Sequence, residues 1–311
     1  MQAATSFSVC GPILVTGATG QVGGQLVKTL APLGEVIAPG RLELDLASAE
    51  SIRHVIRAVR PRWIVNSAAY TAVDKAESEP ELAYAINAEA VRVLGEEARK
   101  LGAAVIHFST DYVFDGKSSS PYTETDVTAP TCVYGASKLA GERALAESGA
   151  PHMIFRTSWV YGAQGKNFLL TILKLAREKE TLRVVADQHG APTWSRDLAE
   201  MAAHVIRRCE DASGQDYNWL AEALALLGGI YHAAGSGETT WYEFAREAVQ
   251  LQRKREPGKQ FAEIVPISTA EYPTSARRPA NSRLDCNKLQ ERLGWQMMDW
   301  RESMLQVMAE R

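Results

Sequence analysis

Tyr134 and Lys138 stand four residues apart in the run Val133-Tyr-Gly-Ala-Ser-Lys138, so on a helix they share one face. A tyrosine ordinarily titrates near about 10, and a neighbouring ammonium favours the phenolate, lowering that value toward physiological pH. Such a phenol can protonate a carbonyl oxygen while hydride reaches the carbon. Taken alone, this spacing is common and reads equally well as a surface pair. What raises it is Ser109-Thr-Asp-Tyr112, which closes the apolar run Val105-Ile-His-Phe108. Thr110, at a strand end, is placed to hydrogen-bond the same carbonyl oxygen and hold it.

Hydride chemistry needs a donor, and the stretch Thr16-Gly-Ala-Thr-Gly-Gln-Val-Gly23 supplies a place for one. Gly17 suits the tight turn, Gly20 lets backbone approach a pyrophosphate, and Gly23 lets the following helix pack closely on a sheet. The helix start, with Gln21 and Val22, offers unpaired N–H groups and partial positive charge to phosphate. After the second strand the chain reads Ala38-Pro-Gly-Arg41, with no acid for the adenosine ribose. Arg41 reads either as a contact for a 2′-phosphate, favouring NADPH, or as a solvated charge, which keeps NADH open. Asp45 and Leu46 fall near where an adenine would lie. The third strand ends in Asn66-Ser-Ala-Ala-Tyr70, whose small Ala68 and Ala69 suit a flat cofactor or simply a tight turn.

These groups require strands that end at one edge. Ile13–Thr16, 35–38, Trp63–Asn66, 103–109 and 152–156 read as strands, separated by helical patterns over 22–30, 51–59, 83–100 and 137–147. That alternation predicts an α/β fold with a Rossmann-type doubly wound parallel sheet. The sheet domain spans residues 11–165, and 166–311 form mainly a smaller C-terminal substrate-binding lobe, the chain being free to cross back. Helices over 168–179 and 196–208, strands near 230–233 and 264–267 and a terminal helix follow. The stretch 210–229 reads as an irregular insertion.

Composition narrows the function. Hydrophobic residues are 46% and charged residues 23% of 311, an ordinary globular balance. A formal net charge of −3 gives no reason to expect nucleic acid or an anionic membrane as partner. Residues 1–10 lack a signal-peptide pattern, no run is apolar for long enough to span a bilayer, and the four cysteines are scattered singly. A soluble, cytoplasmic protein is expected, and the six histidines show no metal-ligand spacing.

The chain resembles the dTDP-4-dehydrorhamnose reductase family of extended short-chain dehydrogenases. The resemblance rests on Thr71-Ala-Val-Asp-Lys-Ala-Glu-Ser-Glu-Pro80, Ser109-Thr-Asp-Tyr-Val-Phe114, Val133-Tyr-Gly135, Lys138-Leu-Ala-Gly-Glu142 and Phe155-Arg-Thr-Ser-Trp-Val-Tyr161. Gly190-Ala-Pro-Thr193, Arg278-Pro279 and Asn281-Ser-Arg-Leu284 extend it through the second lobe. It implies reduction of the C4 keto group of a dTDP-linked deoxysugar by NAD(P)H, with Thr110, Tyr134 and Lys138 as the catalytic set. It also implies that Gly20, Gln21, Val22, Asp45, Leu46, Ala68, Ala69 and Tyr70 line the cofactor. Asp111 and Trp159 would meet the sugar, although Trp159 also suits core packing beside the fifth strand. Asn167, Arg278 and Arg283 read either as diphosphate or thymidine contacts or as links between the lobes.

Two departures from the family pattern stand out: Gly40 replaces the acid of some members, and 210–229 is longer than the usual connection. Magnesium-bridged dimers occur among relatives, but no ligand set maps onto this chain, so no metal is expected, and the protein is expected to be a monomer or homodimer. Alternatives in the same fold are another nucleotide-sugar 4-ketoreductase or epimerase; outside catalysis, a regulatory subunit resembling this reductase remains.

Overall fold

Runs such as Ile13-Leu-Val and Trp63-Ile-Val place apolar side chains on both faces of a strand, which suits a parallel sheet covered by helices on each side. A computed structural model describes residues 11–211 and 219–311. β1 (Ile13–Thr16) leads into α1 (Gln21–Leu30), β2 (Val36–Ile37), α2 (Ala49–Val59) and β3 (Trp63–Asn66). A short α3 (Val73–Ala76) precedes α4 (Pro80–Tyr84), which continues through a π-helical turn (Ala85–Glu89) into α5 (Ala90–Leu101). β4 (Ala104–Thr110), α6 (Val133–Ser148) and β5 (His152–Thr157) follow.

The second half begins with β6 (Val160–Tyr161), α7 (Phe168–Glu178), β7 (Thr181–Val185), β8 (His189–Gly190) and β9 (Thr193–Trp194). Then come α8 (Ser195–Asp211), α9 (Trp219–Leu227), β10 (Gly229–His232), β11 (Thr239–Thr240) and α10 (Trp241–Arg255). β12 (Glu263–Ile267), α11 (Asn287–Leu293) and α12 (Trp300–Ala309) close the chain.

Six strands form one sheet in the order β10-β5-β4-β3-β1-β2, every neighbouring pair parallel. The fold is therefore the doubly wound α/β type. Strand order reverses between β1 and β3, where such sheets open a crevice at their carboxyl ends. Val15, Val65, Ile106 and Phe155 pack on Leu26 of α1, Leu198 of α8, Leu224 of α9 and Leu289 of α11. On the opposite face Leu14, Ile64, Val105 and Ile154 meet Ile52 of α2, Leu94 of α5 and Leu145 of α6. Each such side chain, once fully buried, contributes roughly 1.5–3 kcal/mol. A separate aromatic core (Tyr161, Trp194, Phe244 and Trp300) holds the smaller lobe together.

Several elements differ from the sequence reading, each for a local reason. α6 begins at Val133 rather than 137, because Cys132 is extended and its thiol accepts from Gly135 N–H at 3.5 Å, capping the first turn. Tyr134 thus lies inside the helix. The helix expected over 83–100 is interrupted at 85–89, where the buried Asn87 accepts from Tyr70 N–H and donates to the Ser137 hydroxyl. In the stretch expected to be an irregular insertion, residues 210–211 and 219–227 are helical, since Leu220, Ala223 and Leu224 bury on the sheet. Residues 212–218 of that stretch lie outside the described residues. β10 returns to pair with β5, so the sheet draws strands from both sides of residue 165.

Candidate active site

β1 delivers its turn directly over β3. Gly17 has φ +71°, and a Cβ there would stand 2.8 Å from the Ala68 backbone. A Cβ on Gly23 would approach the Gly17 carbonyl oxygen to 2.1 Å, so α1 sits on the turn only because that side chain is absent. Gly20 N–H closes the turn on Gly17 O at 2.8 Å. As N-cap, Gly20 offers no side chain, and the first turn of α1 holds no acid. Its N–H groups and positive helix end are therefore left for an anion.

A cleft of about 650 Å³ opens from this turn along the carboxyl edge of the sheet. It brings together Gly17, Gly20, Gln21, Val22, Gly23, Arg41, Asp45, Leu46, Ala68 and Ala69 at one end. Thr110, Asp111, Tyr134, Lys138 and Trp159 line the other. Arg41 is exposed at the mouth, on the loop after β2.

Four expected residues are not in its lining. Tyr70 turns its hydroxyl to Glu79 at 2.7 Å. Asn167 caps α7 by accepting from Leu170 N–H, while its amide donates to Gln21 Oε1 at 2.9 Å and to the Gly162 carbonyl at 3.0 Å. Arg278 pairs with Asp74 and reaches the Tyr112 hydroxyl at 3.4 Å. Arg283 pairs with Glu238.

The Thr110 end of the cleft is buried. Thr110 closes β4 and donates to Asp111 Oδ1 at 3.0 Å, and its oxygen accepts from Tyr112 N–H. Burial pushes the Asp111 carboxyl up to about 6, against bonds from Ser282 and Thr110. Its Oδ2 is buried without a hydrogen-bond partner, an acceptor that a ligand hydroxyl would satisfy.

Tyr134 corrects one expectation. Burial raises its proton affinity, only partly offset by a bond from Thr110, so the hydroxyl is held protonated rather than poised to ionise. Lys138 does not reach it: Nζ donates to the Phe108 carbonyl at 2.7 Å and lies 3.2 Å from His107 Nε2. Burial brings Lys138 down to about 8, with Glu142 opposing.

Trp159 lines the cleft and stacks on Trp241, ring centroids 3.6 Å apart and planes at 14°. Its φ of +48° is left-handed, a conformation costing a bulky residue roughly 1–3 kcal/mol and found where a site over-determines the backbone.

Beneath α6 lies a buried ion pair. Glu142 of α6 accepts from Arg156 of β5 at 2.7 and 3.0 Å and from Ser109 of β4 at 2.5 Å.

The sequence reading missed Ser67, Ile86, Lys166 and Thr157 of the lining. It gave His107 no role, although alternation along β4 puts that ring on the same face as Val105, toward α6.

Comparison with known proteins agrees with this geometry. A family profile described as the RmlD substrate binding domain matches residues 11–311. The dTDP-4-dehydrorhamnose reductase of Burkholderia thailandensis is 47% identical over 294 residues, covering 93% of this chain and 95% of that protein. Its counterpart in Escherichia coli K12 is 45% identical over 302 residues, covering 96% and 97%. The crystal structure of dTDP-4-dehydrorhamnose reductase from Bacillus anthracis in complex with NADP superposes with a TM-score of 0.85 at 34% identity, covering 97% of this chain and 99% of that one.

Proposed function

Because this chain belongs to the dTDP-4-dehydrorhamnose reductase family, we propose that it reduces the C4 keto group of dTDP-4-dehydro-L-rhamnose with NADPH, giving dTDP-L-rhamnose. It is an oxidoreductase acting on a dTDP-sugar. The observation that carries the reading is the convergence of the glycine turn with Thr110, Tyr134 and Lys138 at one cleft.

The residues fit the cofactor: the close approaches at Gly17 and Gly23 leave a cradle that any Cβ would fill, facing the open start of α1. That turn and Gln21 hold the pyrophosphate, with Ala68 and Ala69 flanking the nicotinamide side. Arg41 meets the 2′-phosphate as a charge-assisted donor, while NADH, lacking that phosphate, binds more weakly. When bound, NADPH supplies the hydride.

Tyr134 protonates the C4 oxygen, a role suited to a phenol that burial keeps protonated at neutral pH. Thr110 turns its hydroxyl from Asp111 to that oxygen and fixes its position. Lys138 holds the ribose beside the reacting carbon. Asp111 Oδ2 accepts from a sugar hydroxyl, and the Trp159 indole, backed by Trp241, covers the sugar ring. Asn167 acts one step back, through its bond to Gln21. Arg278 fixes the Tyr112 side of the substrate mouth.

No described helix is long and apolar enough to cross a membrane. The enzyme works in the cytoplasm as a monomer or homodimer. Purified protein given dTDP-4-dehydro-L-rhamnose should oxidise NADPH only when the sugar is present. Tyr134→Phe should abolish turnover while NADPH affinity is kept. Near-normal turnover in that variant would overturn the assignment.

A further inference from the structure

Four polar side chains cross the interior behind the site in a single row. Thr16, Asn66 and His107 are register partners on β1, β3 and β4, and Lys138 of α6 ends the row. All four are essentially without solvent exposure. Thr16 Oγ1 accepts from Ala68 N–H at 3.2 Å, leaving its one hydrogen for Asn66 Oδ1 at 2.5 Å. Asn66 Nδ2 therefore faces His107 Nδ1, at 2.9 Å, as a donor. An imidazole accepting at Nδ1 carries its hydrogen on Nε2. That hydrogen points at Lys138 Nζ, which receives it only as a neutral amine.

An ammonium at Lys138 demands the reverse. Nε2 must then accept, the ring hydrogen must sit on Nδ1, and Asn66 must present its oxygen. We propose that Thr16, Asn66 and His107 are positioning residues that couple the charge of Lys138 to the tautomer of His107 and the orientation of the Asn66 carboxamide. The row gains one proton when Lys138 is charged, and that proton resides on Nζ. His107 carries one ring hydrogen in both states.

Its burial makes the coupling strict. Burial, with Lys138 and His152 adding repulsion, holds His107 well below the usual histidine range, so it answers by changing tautomer rather than charge. The charged and titratable neighbours are Glu142 one turn along α6, which favours the ammonium, Arg156 of β5, which Glu142 balances, and the ring of His152 at the start of β5. Tyr134 lies one turn before Lys138 on α6, and Asp111 stands beyond it. A buried polar row with two complete hydrogen-bond patterns and no good intermediate one is a two-state element. Burial brings Lys138 to about 8, where both of its charge states, and so both patterns of the row, come within reach.

The inference rests on the reductase reading for the role of Lys138, but its test does not. Ring-nitrogen NMR of histidine-labelled protein should show His107 neutral throughout, with its hydrogen on Nδ1 below roughly pH 8 and on Nε2 above it. In Lys138→Met that change should vanish. A single tautomer across the titration, or an imidazolium, overturns the proposal.

Kinetics supply the second readout. In His107→Leu the ammonium loses a charge-assisted acceptor and the amine only a weaker neutral donor, so the alkaline limb of kcat should move down by about one pH unit. His107→Gln presents a carboxamide that turns its oxygen to the ammonium or its N–H to the amine, and should restore the limb to its wild-type position. A uniform fall in kcat with an unmoved limb in both variants overturns the coupling. Absence of sugar-dependent turnover in wild type would instead refute the reductase reading and leave the NMR result standing.

Discussion

Replacing Glu142 with glutamine would leave Arg156 as a buried guanidinium without its counter-charge. Side-chain exposure is 2% for Glu142 and 3% for Arg156, so water cannot take over. The carboxylate now accepts from Nε at 3.0 Å, from Nη2 at 2.7 Å and from Ser109 at 2.5 Å. A carboxamide keeps one acceptor oxygen and turns an N–H toward donors. Breaking one partner of such a pair costs roughly 3–5 kcal/mol. Unfolding entropy near 2.1 cal/mol/K per residue over 311 residues gives about 0.65 kcal/mol per kelvin. Glu142→Gln should therefore melt about 5–8 °C below wild type. Replacing both partners by apolar residues, as in Glu142→Leu with Arg156→Met, removes the uncompensated charge and should recover most of that loss. The assay is a calorimetric melt of wild type, Glu142→Gln and the double variant. Glu142→Gln melting within about 1 °C of wild type, or a double variant no more stable than the single, would refute the reasoning.

Gly23→Ala puts a methyl into the Gly17 carbonyl and must lift α1 off the turn; NADPH affinity by fluorescence titration should fall at least tenfold, about 1.4 kcal/mol or more. An unchanged Kd would mean the turn does not hold the phosphates. Arg41→Ala should weaken NADPH by roughly 10- to 100-fold, the worth of a charge-assisted contact, and leave NADH unaffected; equal loss for both would assign Arg41 to the surface. The Asp111 carboxyl sits at about 6 when folded against an ordinary 3.8, so ionising it costs the folded state. That cost is absent below pH 3.8 and complete above about 6. Asp111→Asn should thus gain about 3 kcal/mol of stability over wild type at pH 8 and nothing at pH 3.5, while its KM for the sugar rises. Melts that differ equally at both pH values would show the carboxyl is not shifted.

The strands were legible because parallel strands covered on both faces are continuously apolar, as in Ile13-Leu-Val and Trp63-Ile-Val. The glycine turn and the Tyr134–Lys138 spacing were legible because each depends on local sequence alone. The start of α6 was not, since Cys132 is a weak cap and the preceding loop carries no conventional signal. Nor was the raised proton affinity of Tyr134, which follows from burial by residues distant in sequence rather than from its lysine neighbour. His107 and Asn66 could be assigned to strands but not to Lys138, because register across three strands has no signature in one chain. Asn167 and Arg278 show the limit of composition: polar side chains in the second lobe suit a ligand, a cap or an ion pair equally, and only packing decides.

The return of β10 to the sheet governs how the molecule can be made. During synthesis β5 leaves the ribosome some seventy residues before Gly229–His232, its lateral neighbour, exists. Through that interval the nascent sheet presents an open edge from Met153 to Arg156, the kind of surface that recruits stray strands. Closure waits on translation of nearly half of the smaller lobe, so the two lobes mature together rather than in succession. An enzyme threaded in this way does not divide into exchangeable cofactor and sugar modules. Grafting a foreign specificity lobe onto residues 11–165 would strip the sheet of its sixth strand, and a working chimera has to carry β10 across with the sheet it completes.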